Sequence, residues 1–162
     1  MEFTEIERKF LITDFPTGLE ELTRHTSRIF YLSVDPEVRA SNYFSPTRDD
    51  FQLTIKSPGT LTRREVMIDL DRERFDALKT MVPHDLIVKD YRRFALPDGN
   101  ILECSQVDPG SPTGFCYAEV EFPSEDAARM FHVEQIPTLI REVTDDPSWK
   151  MKNYWRRTRL GE

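Results

Sequence analysis

Polar and apolar residues alternate with a period of two along much of this chain, the pattern of strands that bury one face. In Glu5-Ile6-Glu7-Arg8-Lys9-Phe10, the side chains of Glu5, Glu7 and Lys9 share one side of a first strand, opposite Ile6, Arg8 and Phe10. Arg28–Ser33 and Val38–Asn42 read as two further strands about an Asp35-Pro36 turn. Gln52–Lys56 and Leu61–Leu70 flank Ser57-Pro58-Gly59-Thr60. Pro-Gly supplies the fixed φ and the positive φ of a tight turn, so these two runs predict a hairpin. Lys89–Leu96 and Asn100–Val107 flank Pro97-Asp98-Gly99, a second hairpin signal, and Phe115–Phe122 follows a loop rich in Pro, Gly and Ser.

Helical spacing appears in three places. Asp71 precedes Phe75, Leu78 and Val82, with Lys79 lending its stem, and predicts a capped helix. Ser124, with Glu125 and Asp126 in the first turn, predicts another through Ala128 and Phe131. Asp14-Phe15-Pro16 predicts the start of a short helix through Leu19 and Leu22. A short segment at Thr138–Arg141 and a basic tail from Lys150 to Arg159 follow. The order predicts an α+β fold in which about eight antiparallel strands close into a barrel and so lose their edges, with helices packed outside and one at the C-terminal end. No repeat or linker divides the chain, so residues 1–162 are expected to form a single domain.

The same period sorts charge onto faces. Gln52, Thr54 and Lys56 share a side, as do Arg63, Glu65 and Met67, then Lys89, Tyr91 and Arg93, then Tyr117, Glu119 and Glu121. An antiparallel sheet commonly packs one face and wets the other, which would make these charges a solvated surface. The alternative is a water-filled lumen, where carboxylates hold a divalent metal and Lys and Arg grip phosphate oxygens. Periodicity is compatible with both.

Composition narrows the classes of function. The net charge of −7 argues against a general nucleic-acid surface, yet leaves room for a local basic pocket. Cys104 and Cys116 lack the spacing of a zinc site and read as reduced, structural residues. His25, His84 and His132 share no motif, and Trp149 and Trp155 read as packing anchors. With no cationic leader before a long apolar run and no bilayer-length segment, the expected location is cytoplasmic.

The ordered motifs Glu5-x-Glu7-x-Lys9, Val38-Arg39, Leu53-Thr54-Ile55-Lys56, Arg63-x-Glu65, Ile87-Val88-Lys89, Ala118-Glu119-Val120-Glu121-Phe122 and Glu142-Val143-Thr144-Asp145-Asp146 span nearly the whole chain. Together they resemble the CYTH, or triphosphate tunnel metalloenzyme, family. The resemblance implies an eight-stranded tunnel with a polar interior and metal-dependent hydrolysis of tripolyphosphate or an organic or nucleoside triphosphate, using Mg²⁺ or Mn²⁺. By that resemblance Glu5, Glu7, Glu119 and Glu121 are metal-side carboxylates, and Lys9, Arg39, Lys56, Arg63 and Lys89 bind the triphosphate. Glu5, Glu7 and Lys9 are the expected catalytic group, and Arg93 is expected to serve where the family arginine is replaced by Tyr91.

Other positions also depart from the family pattern: Ser41, Met67, Ser105 and the segment Trp149-Lys150-Met151. These departures and Tyr91 keep open a non-catalytic domain that binds triphosphate or polyphosphate, and the resemblance itself leaves open a cyclase that makes cyclic AMP. The expected partner is a small-molecule triphosphate, with no nucleic acid and no membrane; a homodimeric state stays open.

Overall fold

The computed structural model describes residues 1–162. In chain order the elements are β1 (Glu2–Ile12), β2 (Glu21–Ser33), β3 (Glu37–Ser45), β4 (Arg48–Lys56), β5 (Thr62–Leu70), α1 (Arg72–Thr80), β6 (Ile87–Ala95), β7 (Ile101–Val107), β8 (Phe115–Glu121), α2 (Glu125–Arg129), β9 (Leu139–Glu142) and α3 (Met151–Trp155). The sheet runs β5-β4-β3-β2-β6-β7-β8-β1, and a β1–β5 pairing closes it into an eight-stranded antiparallel barrel. The ninth strand, β9, is short and adds to β1 outside that ring.

β1 is the closing strand. Its first half pairs with β5, Glu2 opposite Val66 through Ile6 opposite Thr62. Its second half pairs on the other edge with β8, Glu7 opposite Glu121 and Lys9 opposite Glu119. Where β5 has ended and β9 has not begun, loops complete the ladder: Glu7 N–H donates to Leu61 O at 3.0 Å, and Val143 N–H donates to Lys9 O at 2.8 Å. Lys9 N–H donates to Thr144 Oγ1 at 3.0 Å. Three backbone groups that no strand partner meets are thereby answered, as a buried ladder requires.

Directly opposed residues share a face, so these registers gather the charged sides inside and turn the apolar sides outward. One outward set, Phe10, Phe94, Leu102, Ala118 and Val120, packs beneath α2 with Ala128 and Phe131. A second set, Phe30, Ala40 and Phe51, packs against Phe75 of α1. Inside, one end of the barrel is itself apolar: Leu11, Ile29, Tyr31, Ile87, Val107 and Tyr117 meet Met151, Tyr154 and Trp155 of α3. Trp155 is 1% exposed. The last helix thus stops one end of the tunnel, followed by a wider helical turn over Arg156–Leu160.

Both predicted caps form: Asp71 accepts from Arg74 N–H at 2.8 Å and Ser124 accepts from Ala127 N–H at 3.0 Å. The hairpin predicted about Pro58-Gly59 forms as well, through an open loop between β4 and β5. Gly59 has φ of 141°, and a Cβ there would lie 2.4 Å from Thr62 O. The helix expected over Asp14–Leu22 does not form. Pro16 and Gly18 work against helix nucleation in so short a segment, and the chain instead bends into β2, which gains a full ladder with β6. The third and fourth strands extend further than predicted, meeting at a two-residue Pro46-Thr47 turn that carries none of the usual Gly or Asn signals. The Thr138–Arg141 segment becomes β9. No helix is long and apolar enough to cross a membrane.

Phe10 is fully buried, its ring 6.0 Å from that of Phe131. Phe10→Ala is expected to cost about 3–5 kcal/mol in urea denaturation; a loss below about 1 kcal/mol would contradict the role given to this outer core.

Candidate active site

The lumen brings together side chains from most of the strands. Glu5 of β1 pairs with Lys56 Nζ at 2.9 Å and with Arg63, the lumen cation with most carboxylate partners, at 2.9 Å. Lys56 also reaches Glu65 at 3.8 Å, and Arg63 reaches Glu37 at 3.4 Å and Glu7 at 3.7 Å. Glu5 and Lys56 are nearly closed to solvent, with side chains 9% and 7% exposed. A cavity of about 50 Å³ remains, lined by Glu7, Lys9, Arg39, Lys56, Arg63, Glu119 and Lys150 among others.

The remaining lumen cations have no such pairing. Lys9 Nζ donates to Trp149 O at 2.8 Å and lies 4.0 Å from the centre of the Tyr117 ring. Lys89, also buried, donates to the Tyr117 hydroxyl. Arg39 leaves its Nε buried without a hydrogen-bond partner. Burial pushes Lys9 and Lys89 below the usual lysine range, with Arg39 adding to the effect on Lys89. An anion placed among these groups would favour their charged forms.

The carboxylates crowd one another. Oxygens of Glu5, Glu7 and Glu121 lie within 4.8 Å of each other. Burial, then repulsion by Glu119, pushes Glu7 well above the carboxylate range. Burial also opposes ionisation of Glu119, but the hydrogen bond from Glu7 and the charges of Lys9 and Lys89 bring it below that range. One proton between Glu7 and Glu119 describes the pair. Glu5 stays ionised against its burial through Lys56, a hydrogen bond from Glu65 and Arg63. Burial and the hydrogen bond to Glu5 raise Glu65 to about 7, and burial with repulsion from Glu103 and Glu5 raises Glu121 to about 7. The donors are all hard oxygens, and a divalent cation would take the place of protons that these glutamates hold against each other. The set therefore fits a hard divalent cation better than a thiolate- or imidazole-seeking metal.

Beyond the carboxylates the lumen becomes neutral and aromatic. His25 stacks on Tyr91 at 4.4 Å between ring centres and meets the edge of Tyr43 at 5.4 Å. Its Nε2 lies 3.0 Å from Ser27 Oγ, and burial, then Arg48 and Lys89, lowers its pKa to about 4. Tyr91 donates to Glu103 at 2.8 Å and is paired across strands with Ser105. Arg93 shares the face of Lys89, as its parity requires. It approaches only Glu103, at 4.0 Å, and is 35% exposed at the other end of β6, so the structure does not bring it to Lys9 and Arg39.

The other predicted residues, Glu5, Glu7, Lys9, Arg39, Lys56, Arg63, Lys89, Glu119 and Glu121, all face the lumen. Glu37 and Glu65 were missed as site residues although each shares its face with a predicted one, Glu37 with Arg39 and Glu65 with Arg63. Tyr117, on the Glu119 face, bridges Lys9 and Lys89 without any charge to mark it.

No protein-family model matches the chain. It is 36% identical over 149 residues to an inorganic triphosphatase of Nitrosomonas europaea, covering 92% of this chain and 95% of that protein. The crystal structure of the inorganic triphosphatase NE1496 superposes with a TM-score of 0.65 at 32% identity, covering 93% of each chain. A conserved hypothetical protein from Pyrococcus furiosus shares the fold at 18% identity, with a TM-score of 0.53 over 77% of this chain and 84% of its own. An eight-stranded tunnel with a charged lumen defines a class, and with a relative of this identity over nearly its whole length the chain belongs to the CYTH, or triphosphate tunnel, family.

Glu65 and Glu121 keep their protons to about pH 7 in the fold, against an ordinary value of 4.5. The stability this lends is complete below about 4.5 and is lost as pH rises through about 7. His25, held neutral, acts in the opposite sense between 6.5 and about 4, but it cancels in a comparison of variants. In metal-free buffer, Glu121→Gln should therefore gain Tm relative to wild type as pH is raised from about 4.5 to about 8. A Tm difference that does not change with pH would contradict the raised pKa.

Proposed function

We propose that this protein hydrolyses a triphosphate in a metal-dependent reaction that releases phosphate, with inorganic tripolyphosphate the first substrate to test. The observation that carries the reading is the pairing inside one tunnel of a close carboxylate trio, Glu5, Glu7 and Glu121, with the cations Lys9, Arg39 and Lys89, which have no carboxylate partner. The family relationship supports it, since the relative from Nitrosomonas europaea is named an inorganic triphosphatase.

A triphosphate repels nucleophiles through its own negative oxygens, so catalysis rests on neutralising and aligning that charge. Lys9, Arg39 and Lys89 are assigned this task, Tyr117 holding the two lysines apart on one ring. Lys56 and Arg63 are assigned a different one. By pairing with Glu5 they keep one carboxylate ionised in a crowded acidic cluster. Glu5, Glu7 and Glu121 would hold Mg²⁺ or Mn²⁺, with Glu119 beside them; the bound ion would neutralise phosphate oxygens and acidify a water. The buried members of this set, Glu5, Glu7, Lys56 and Lys89 among them, sit largely out of water, where each charge is worth more than in bulk solvent.

A binding domain without turnover is the second reading, favoured by the neutral stretch of His25, Tyr43, Tyr91 and Ser105 within the lumen. A phosphate-release panel of tripolyphosphate, thiamine triphosphate, ATP and GTP, each with Mg²⁺ or Mn²⁺ and with EDTA, separates the two. We expect EDTA-sensitive release from tripolyphosphate in wild type and a fall of at least about 100-fold in Glu7→Gln, as for loss of an electrostatic group at a reacting phosphoryl. Tight tripolyphosphate binding with no release would establish the binder, and wild-type activity in Glu7→Gln would remove Glu7 from the site.

A further inference from the structure

The inward-facing side chains change character in steps along the tunnel. The pairing of β2 with β6 sets Ile29 opposite Ile87, Ser27 opposite Lys89 and His25 opposite Tyr91. The two isoleucines belong to the apolar end closed by α3. Lys89 therefore lies one step from the stopper, and His25 with Tyr91 lies on the next step, farther from it. A continuous line of contacts is found there. The Arg48 guanidinium covers the Tyr43 ring at 4.8 Å, and the edge of Tyr43 meets His25 at 5.4 Å. His25 stacks on Tyr91 at 4.4 Å, and the Tyr91 hydroxyl donates to Glu103 at 2.8 Å. The line crosses five neighbouring strands, from β4 and β3 over β2 and β6 to β7.

This line offers nothing to a phosphate. Its cations already have carboxylate neighbours: Arg48 pairs with Asp50 at 2.6 Å, and Arg93, the next lumen-facing residue of β6, lies 4.0 Å from Glu103. His25, neutral above about pH 4, adds no charge. The rings are also spent on one another. Tyr91 covers a face of His25 and Arg48 covers a face of Tyr43, so the cluster is a packed stack and not an open platform for a base. The lumen cavity ends short of it: Lys9, Arg39 and Met151 of the stopper are among its lining, whereas His25, Tyr43 and Tyr91 are not. A polyphosphate chain lengthened past Lys89 would lose water there without gaining a counter-charge.

We propose that the Tyr43–His25–Tyr91 stack is a chain-length stop: with the α3 stopper at the other end it bounds a compartment for a short inorganic polyphosphate and turns away a fourth phosphate. The inference rests on the triphosphate reading above and names the residues that set its specificity. Discrimination comes from exclusion and not from an added contact, because a longer chain meets rings that it cannot displace without breaking the stack.

The test measures kcat/KM, and Kd by calorimetry, for tripolyphosphate, tetrapolyphosphate and ATP in wild type, His25→Ala, Tyr43→Ala and His25→Phe, with Tm for each. Wild type is expected to prefer tripolyphosphate to tetrapolyphosphate by about tenfold or more. His25→Ala and Tyr43→Ala each remove a ring and should raise kcat/KM for tetrapolyphosphate relative to tripolyphosphate about tenfold, with a smaller change for tripolyphosphate itself. His25→Phe keeps a ring without the imidazole nitrogens and should keep the wild-type preference. A wild type that uses both chains alike would overturn the inference and leave the triphosphate reading intact. So would alanine variants of near-wild-type Tm with an unchanged preference, or a His25→Phe that behaves as His25→Ala. Weaker ATP binding in the alanine variants, with the chain-length preference unchanged, would assign the rings to a base and overturn it as well. A wild type that neither hydrolyses nor binds tripolyphosphate would overturn both.

Discussion

Strand β1 is paired on both edges, with β5 along its first half and β8 along its second, and the registers of those two pairings decide which side chains share the lumen. Side chains alternate with a period of two, so a slip of one residue in either pairing would turn Glu5, Glu7 and Lys9 toward the helices and drive Ile6, Arg8 and Phe10 inward. The outer core resists such a slip. Phe10 is fully buried with Phe131 and Phe122, and Arg8 is tied to Glu142 of β9 at 2.5 Å. The apolar packing outside the barrel thus fixes the charged arrangement inside it.

That arrangement is balanced unevenly. Glu5 is answered by Lys56 and Arg63, whereas Glu7, Glu65 and Glu121 are favoured in the protonated form by desolvation first and by neighbouring Glu5, Glu103 or Glu119 second. Lys9, Lys89 and Lys150 are answered by carbonyls and a phenol. Buried charges without counter-charges are costly, and such groups cluster where a ligand or a reaction needs them. A divalent cation would suit the first set and a phosphate chain the second, so the two imbalances call for one composite ligand. The apolar stopper formed by Met151, Tyr154 and Trp155 keeps water from that end and raises the worth of every charge within.

Much of this was legible in the sequence because strand parity is a strong signal. Glu5-x-Glu7-x-Lys9 and Tyr117-x-Glu119-x-Glu121 declare their faces directly, and Pro58-Gly59, Asp71 and Ser124 announce turns and caps whose chemistry is local. Parity gives a face, however, and not a depth. Arg93 is on the face of Lys89 but lies at the other end of β6, beside Glu103, and His25 proved to belong to the lumen although no motif marked it. Glu37 and Glu65 were within reach, each two residues from a predicted cation, but their role emerges only when neighbouring strands close the ring. The helix expected over residues 14–22 gave way to pairing between β2 and β6, a tertiary gain that local spacing does not record.

As we propose, one tunnel holds a metal among its glutamates and a triphosphate among its cations. A crystal structure with Mn²⁺ and a non-hydrolysable tripolyphosphate analogue tests it most directly, because anomalous scattering locates the ion independently of the phosphates. A manganese peak is expected among Glu5, Glu7 and Glu121, with phosphate oxygens bonded to Lys9 and Arg39. A manganese ion away from that trio, or an analogue bound only in the outer cleft between His84 and Arg159, would contradict it.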